Sequence, residues 1–188
     1  MPRRNIWTPW KRGSRPMPRK RLVIDASVAG AAGNTEHPIS KANRDFLRQV
    51  LSVCHKVVMT PEISLEWKAH QSRFSSLWRT SMTAHKKVVE TCGTDDPDLR
   101  SGIDRCGLRE KQRAAIHKDI HLVEAALLAD RIVISGDGSA RHLFCMVSSN
   151  VPLLKSVVWV NPAQPPADLQ QWLERGGRPV KDWQLRPP

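Results

Sequence analysis

The chain has 188 residues and a formal net charge of +12, from 30 Lys and Arg against 18 Asp and Glu. This length suits one domain with appendages and a substantial core. No apolar run approaches the ~20 residues of a membrane span, and the N-terminus lacks the apolar centre of a secretory signal. The four cysteines show no CxxC spacing, which argues against a zinc knuckle or a disulfide framework. We therefore expect a cytoplasmic protein that does not contact a membrane.

The positive charge is concentrated at the N-terminus. Eight Lys and Arg and no acid lie in residues 1–21, so this tail carries +8 and the remaining chain +4. Four prolines disfavour a helix, and we expect the tail to be disordered on its own. Its cations could meet phosphates while a tryptophan stacks on a base, although a merely solvated tail is an equal alternative. The RNA-contacting candidates in the tail are Trp10, Arg12, Arg15, Arg19 and Lys20.

Apolar runs of strand length alternate with patterns of helical period. The β-branched runs predict strands at 21–24, 57–59, 131–135 and 157–160. The helical patterns predict helices at 40–55, in pieces over 61–90, at 109–118 continuing into an apolar helix to about 129, and at 139–148 and 167–175. Glycines and prolines indicate loops at 26–38 and 91–107, and we expect a loose segment at 176–188.

This alternation predicts the fold class. Strands that alternate with helices favour a three-layer α/β/α sandwich with a mainly parallel central sheet of four or five strands. We assign the domain to residues 22–175, between the basic tail and the loose C-terminal segment.

Two aspartates follow predicted strands. Asp25 comes directly after the first strand, and Asp137 follows the strand at 131–135 by two residues. The carboxyl ends of parallel strands open on one edge of the sheet, so the two carboxylates should face each other. Asp119, just before the apolar helix, could join them. Each also has a structural alternative: a turn for Asp25 and Asp137, and a helix N-cap for Asp119.

Several chemistries use carboxylates at such an edge, and most of them lack their other requirements here. No glycine-rich phosphate loop follows the first strand. A phosphoaspartyl hydrolase needs a second aspartate two residues after the first, where this chain has Ser27. Several acids without a nucleophile match the oxygen ligands that Mg²⁺ and Mn²⁺ prefer. The pattern therefore favours a divalent metal centre.

Four short motifs, in this order, resemble the PIN-domain nucleases. They are VIDAS at the first strand, TPEISLEW in a helix led by Thr60 and Pro61, DIHLVEAAL before the next strand, and IVISGD after it. The resemblance covers roughly residues 22–173. It departs from the family in the basic tail and in the longer segment at 71–118.

The resemblance implies a ribonuclease that depends on Mg²⁺ or Mn²⁺ and acts on single strands of RNA. Many members are toxins that pair with an antitoxin, and the family suggests a homodimer. By position, the catalytic acids would be Asp25, Glu66, Asp119 and Asp137, of which the three aspartates would hold metal. The supporting residues would be Ser27, Ser135 and Glu62. Glu62 competes with Glu66 for the second acidic place, and we prefer Glu66 because a first-turn acid such as Glu62 is favoured by the helix dipole.

Other polar residues have more open assignments. Arg141 and His142, just after Asp137, are placed to touch an RNA phosphate. His117 and His121 are four residues apart, but a third zinc ligand is not evident. Glu124 is the odd acid within an apolar helix, where it needs a partner. The alternative to a nuclease is a non-catalytic RNA-binding or scaffold protein that retains the fold.

Overall fold

A computed structural model describes residues 19–166 and 168–187 of the chain. The predictions for Trp10, Arg12 and Arg15, and for most of the tail, lie outside the described residues. None of the described helices is both long and apolar enough to cross a membrane.

The described residues form a sheet of five parallel strands in the order β3-β2-β1-β4-β5. The strands are β1 (Arg21–Ile24), β2 (Lys56–Met59), β3 (Val88–Glu90), β4 (Ile132–Ile134) and β5 (Val158–Val160). The α-helices are α1 (Ala26–Ala31), α2 (Pro38–Ser52), α3 (Pro61–His70), α4 (Arg73–Ala84), α5 (Pro97–Asp104), α6 (Glu110–Leu128), α7 (Gly138–Val147) and α8 (Leu169–Glu174). Two 3₁₀ turns span Pro152–Ser156 and Lys181–Trp183.

The central strands are apolar because helices cover both faces of the sheet. β4 and β5 are buried along their whole length, and β1 and β2 are buried after their first residue. The α/β/α fold class and the parallel sheet predicted from the sequence are therefore confirmed, with five strands.

Three local predictions were wrong. Val88–Glu90, predicted as the end of a helix, is a strand that pairs with β2. The predicted loop at 26–38 contains α1, whose N-cap is Asp25. The predicted loop at 91–107 contains α5, where Asp96 accepts a hydrogen bond from the Leu99 N–H as the N-cap. Both missed helices are short, with six and eight residues, so their caps were their main sequence signal.

The C-terminal segment was expected to be loose, but its described part is tied to the sheet. Leu185 is fully buried and donates its N–H to the Val157 carbonyl at 2.9 Å. Gln184 forms an antiparallel bridge with Val158. Trp183 packs edge-on against Trp172 with 5.2 Å between ring centroids. This segment therefore extends the core beyond β5.

Glu124 has a partner that the sequence did not indicate. Its side chain is fully buried in α6, and its two oxygens accept hydrogen bonds from Arg100 Nε and Nη2, each at 2.7 Å. It also accepts from the Asp96 N–H at 3.0 Å. The hydrogen bond to Glu124 is the largest cause that raises the pKa of Arg100. Glu124 therefore fastens α5 to α6.

The pairing of Arg100 with Glu124 predicts that replacing one partner lowers the free energy of unfolding more than replacing the other. Arg100→Met leaves a buried carboxylate without its cation and should lower the free energy of unfolding by about 3–5 kcal/mol. Glu124→Gln leaves Arg100, whose side chain is 35% exposed, free to reach water and should cost only about 1–2 kcal/mol. Urea unfolding measures both, with the exposed Arg105→Met as the control. Equal losses would contradict the bidentate clamp.

His55 joins three parts of the fold and is completely buried. Its Nδ1 accepts the Lys20 N–H at 3.1 Å, so Nε2 carries the proton and donates to the Leu173 carbonyl at 2.8 Å. Burial lowers the pKa of this imidazole, and the nearby charges of Lys20 and Lys87 lower it further. The neutral ring thereby links the start of β1 and the start of β2 to α8.

The buried imidazole predicts a loss of stability in acid. Below the ordinary pKa of 6.5 the unfolded chain takes up a proton that folded His55 refuses. The free energy of unfolding should therefore fall as the pH decreases through this range. Urea midpoints at pH 7.5 and 5.5 should drop more in the wild type than in His55→Gln. A drop of the same size in both proteins would show that other groups cause the acid sensitivity.

Candidate functional site

The candidate site lies where β1 and β4 end. The two strands pair in parallel, with Val23 opposite Val133 and Ile24 opposite Ile134. The Asp25 N–H continues this pairing by donating to the Ile134 carbonyl at 2.9 Å. The side chains that follow both strands therefore emerge at the same edge of the sheet.

The Asp25 carboxylate is held by two serines. Its Oδ2 accepts hydrogen bonds from Ser27 Oγ at 2.5 Å and from Ser135 Oγ at 2.7 Å, and its Oδ1 accepts the Ser27 N–H at 3.2 Å. Ser27 Oγ in turn accepts the Gly136 N–H at 3.1 Å. The two serines thus fix the orientation of Asp25 and join the loops that follow β1 and β4.

Asp137 extends this network and also caps a helix. Its N–H donates to Ser135 Oγ at 3.0 Å, and its Oδ1 accepts the Ala140 N–H at 2.9 Å as the N-cap of α7. Its Oδ2 has no hydrogen bond within the described residues. The structural alternative suggested by the sequence for Asp137 was a turn, and the structure instead makes it a helix N-cap with one carboxylate oxygen left for a ligand.

Asp119 comes to the same place from α6. It lies in the middle of this helix, so it is not an N-cap. Burial is the largest effect on its pKa, which is raised to about 6, and the negative charges of Asp25 and Asp137 add to the rise while Lys118 opposes it. Three carboxylates therefore converge closely enough to repel one another.

Glu66 approaches the cleft from α3. The Trp67 indole N–H donates to the Ile24 carbonyl at 2.8 Å, which fixes α3 against the end of β1. Glu66 Oε2 lies 3.3 Å from His121 Nε2, and His121 Nδ1 lies 3.0 Å from the Lys118 carbonyl. His121 is buried, and its two ring nitrogens face the Glu66 carboxylate and the Lys118 carbonyl.

Glu62 is not brought to the cleft. It is exposed in the first turn of α3, where hydrogen bonds from its own backbone N–H and from the Thr60 side chain lower its pKa. This is the helix-start position expected if Glu66 is the residue that points inward.

The four predicted acids line one cleft of about 480 Å³, whose other polar lining side chains are Ser27, His70 and Lys118. His70 and Lys118 were not singled out from the sequence. His70 lies one helical turn after Glu66, and this i, i+4 spacing was the available signal. Gly30 allows the close approach of α1 and α3, because a Cβ there would lie 2.9 Å from the His70 carbonyl oxygen.

The remaining candidates lie elsewhere. Arg141 and His142 line a separate groove of about 430 Å³ beside the cleft. Arg19 is exposed, and Lys20 pairs with Asp130 at 3.6 Å. His117 contacts Asp104 at 2.7 Å, whereas His121 contacts Glu66, so the two histidines do not converge on one point.

A larger cavity, of about 640 Å³, lies beside α8. It is lined by Trp172 and Trp183 with Arg175 and Arg178, and Asp168 is the only carboxylate in its described lining. Clustered acids distinguish the smaller cleft, which is therefore the better candidate for catalysis.

The donor set of the cleft fits a hard divalent cation. Carboxylate and hydroxyl oxygens are the ligands that Mg²⁺ and Mn²⁺ favour, and a cation would offset the burial and the repulsion that together raise the pKa of Asp119. Among the described residues, however, no three His, Cys, Asp or Glu side chains are already grouped as metal ligands. The Asp25 oxygens are taken up by serines and one Asp137 oxygen by α7, so these side chains are arranged as hydrogen-bonded caps.

The fold and the cleft define an α/β/α protein with clustered carboxylates at the carboxyl edge of a parallel sheet. No protein-family model matches the chain, and neither the curated proteins nor the solved structures give a match. The resemblance to PIN-domain nucleases stays a prediction based on the motifs.

The raised pKa of Asp119 predicts that this residue opposes folding at neutral pH. Because the folded-state pKa of about 6 exceeds the ordinary 3.8, the folded protein binds the proton more tightly, and stability is lost as the pH rises through 6. Asp119→Asn cannot ionise and should be more stable than the wild type by about 1–3 kcal/mol at pH 7.5, and by nearly nothing at pH 4. Urea unfolding in EDTA tests this. A destabilised variant at pH 7.5 would contradict the crowding of the three carboxylates.

Proposed function

We propose that the protein is an endoribonuclease that depends on Mg²⁺ or Mn²⁺. The observation that carries this proposal is the convergence of Asp25, Asp119 and Asp137 from three separate elements on one cleft, with the pKa of Asp119 raised to about 6. Perturbed carboxylates grouped in a cleft are more typical of catalytic sites than of structural ones. The order of the PIN-like motifs points to RNA as the substrate.

Each cleft residue has a task in this proposal. Asp25, Asp119 and Asp137 would hold the cation, which supplies an activated water and offsets the charge that develops on the phosphate. Ser27 and Ser135 hold the Asp25 carboxylate in one orientation through hydrogen bonds of 2.5 and 2.7 Å. Such fixed geometry lowers the cost of assembling the reacting groups.

Lys118, His70 and Glu66 complete the wall of the cleft. Lys118 places a positive charge beside Asp119 and lowers its pKa, and the same charge can meet a substrate phosphate. The contact of 3.3 Å with His121 Nε2 positions the Glu66 carboxylate. Hydrolysis in this cleft leaves a 5′-phosphate and a 3′-hydroxyl.

The resemblance also proposes protein partners, namely a cognate antitoxin and a second copy of the chain in a homodimer. Leu65 on α3 and Leu77 on α4 are 65% and 62% exposed, and a partner that binds these helices would cover them. A toxin and a processing nuclease both fit this proposal, and an acidic antitoxin that binds the chain would favour the toxin.

A non-catalytic RNA-binding or scaffold protein is the second candidate. It is favoured by one observation, the absence of a preformed group of three metal-ligand side chains within the described residues. Under this alternative the acids only cap helices and the basic surfaces bind RNA. The two candidates differ in whether RNA is cut.

Incubation with labelled single-stranded RNA should give products that require Mn²⁺ or Mg²⁺ and carry 5′-phosphates. Asp25→Asn and Asp119→Asn should each lower the rate at least about 100-fold, since both remove a charge needed to hold the cation. The control is Asp98→Asn, an exposed acid in the first turn of α5, which should cleave at the wild-type rate. Asp119→Asn is the sharper test because its fold is expected to be more stable than that of the wild type. Binding without cleavage in the wild type would favour the scaffold.

A further inference from the structure

The basic groove beside the cleft is built from two parts of the chain. One wall is α7, with Arg141 and His142, and the other is the C-terminal segment, with Lys181 and Arg186. Gly138 lines the groove at the start of α7, and its neighbour Asp137 lines the acidic cleft. The groove and the cleft therefore adjoin at the first turn of α7.

The cations of the groove are not neutralised. Within the part of the chain that the structure describes, Arg141, Lys181 and Arg186 form no ion pair, whereas Arg44 and Arg100 do. Among the described residues, the Arg141 guanidinium has one hydrogen bond, a long contact of 3.4 Å to the Asp182 carbonyl. Arg186 is oriented by the neutral Gln184 side chain at 2.8 and 3.0 Å and keeps its full charge. A single described carboxylate, Asp182, lines the groove, so its net charge is positive.

The positive wall is also held in place. Leu185, which stands between Gln184 and Arg186 in the sequence, is buried and donates its N–H to the Val157 carbonyl. Gln184 forms a bridge with Val158 of β5. Anchored neighbours on the chain limit the backbone entropy that Arg186 would lose when an anion binds. A run of charged residues that was only solvated would not contain a buried residue bonded to the backbone next to the sheet, as Leu185 is.

The neighbouring cleft needs an anion-binding surface outside itself. Three carboxylates repel the phosphates of an approaching strand, and Lys118 is the one Lys or Arg in the described lining of the cleft, so further cations close to the cleft must contribute free energy of binding. The segment of α7 from Gly138 to Cys145 spans about 10 Å, at 1.5 Å per residue. The groove can therefore hold the backbone next to a phosphate that lies in the cleft.

Resting on the proposed function, we propose that the groove between α7 and residues 181–187 binds the phosphates of the RNA strand whose scissile bond lies in the acidic cleft. The C-terminal segment is then part of the substrate-binding surface. Its contacts are to phosphates and carry no base preference of their own.

The test is a binding measurement that does not depend on cleavage. Fluorescence anisotropy of a labelled single-stranded RNA, in EDTA, gives the Kd at several salt concentrations for the full-length chain. Lys181→Ala/Arg186→Ala should raise the Kd by on the order of tenfold and reduce the salt slope by about 1.4, since each phosphate contact to a single strand contributes ~0.7. Thermal unfolding should be unchanged because both side chains are exposed.

The matched control is Arg105→Ala/Lys111→Ala, which removes the same charge from exposed positions near the α5–α6 junction. If both double variants change the Kd and the salt slope equally, the groove proposal is wrong and RNA is attracted only by the net charge of the protein. Poly-glutamate that competes as well as RNA per charge would also overturn it. If the groove variant binds RNA more weakly and neither the wild type nor any variant cleaves RNA, the groove proposal stands and the nuclease proposal fails. If the groove variant binds RNA normally, and the wild type cleaves RNA while Asp25→Asn does not, the nuclease proposal stands and the groove proposal fails.

Discussion

The site depends on the parallel pairing of β1 with β4. This register sets Ile24 opposite Ile134, so the next residues, Asp25 and Ser135, meet at the sheet edge with 2.7 Å between the hydroxyl and the carboxylate. Successive side chains of a strand point to opposite faces, and a slip by one residue would turn Ser135 away from Asp25. The burial of both strands disfavours such a slip, because their side chains are packed on both faces of the sheet and a shift would disrupt this packing. The core therefore specifies the geometry of the polar edge.

The burial of a carboxylate, together with charge repulsion from its neighbours, opposes folding at this edge. Asp119 is half-buried beside Asp25 and Asp137, and its raised pKa measures how strongly its ionised form is disfavoured. A helix in this position could carry an apolar or neutral residue at lower free energy. Asp25 and Asp137 at least repay part of their cost as N-caps of α1 and α7, but Asp119 lies mid-helix and caps nothing. Of the three aspartates, Asp119 is therefore the one whose presence is least accounted for by a contribution to stability and best accounted for by binding of a ligand.

What the sequence predicted was what local patterns encode. The β-branched runs at β1, β2, β4 and β5 identified four strands, and the acids that follow two of them located the cleft. The features it missed depend on contacts far apart along the chain. β3 is a strand because Val88 pairs with Val57, Glu124 is satisfied by Arg100, and Leu185 is held by the backbone next to β5. The residue pattern within these segments does not indicate partners that are distant in the sequence. It also does not indicate whether the carboxylates of the cleft are spaced as metal ligands or are hydrogen-bonded as helix caps.

The first turn of α7 separates two regions of opposite charge. Asp137 ends the acidic cleft and caps the helix, and Gly138 begins the basic groove. Since the position of α7 is set by this cap and by its packing on α6, a shift of the helix would move both regions together. A polyanion that spans the junction would meet attraction in the groove and repulsion in the cleft, and a divalent cation in the cleft would turn that repulsion into attraction. Binding of the cation and binding of RNA should therefore favour each other, because each lessens the electrostatic cost of the other.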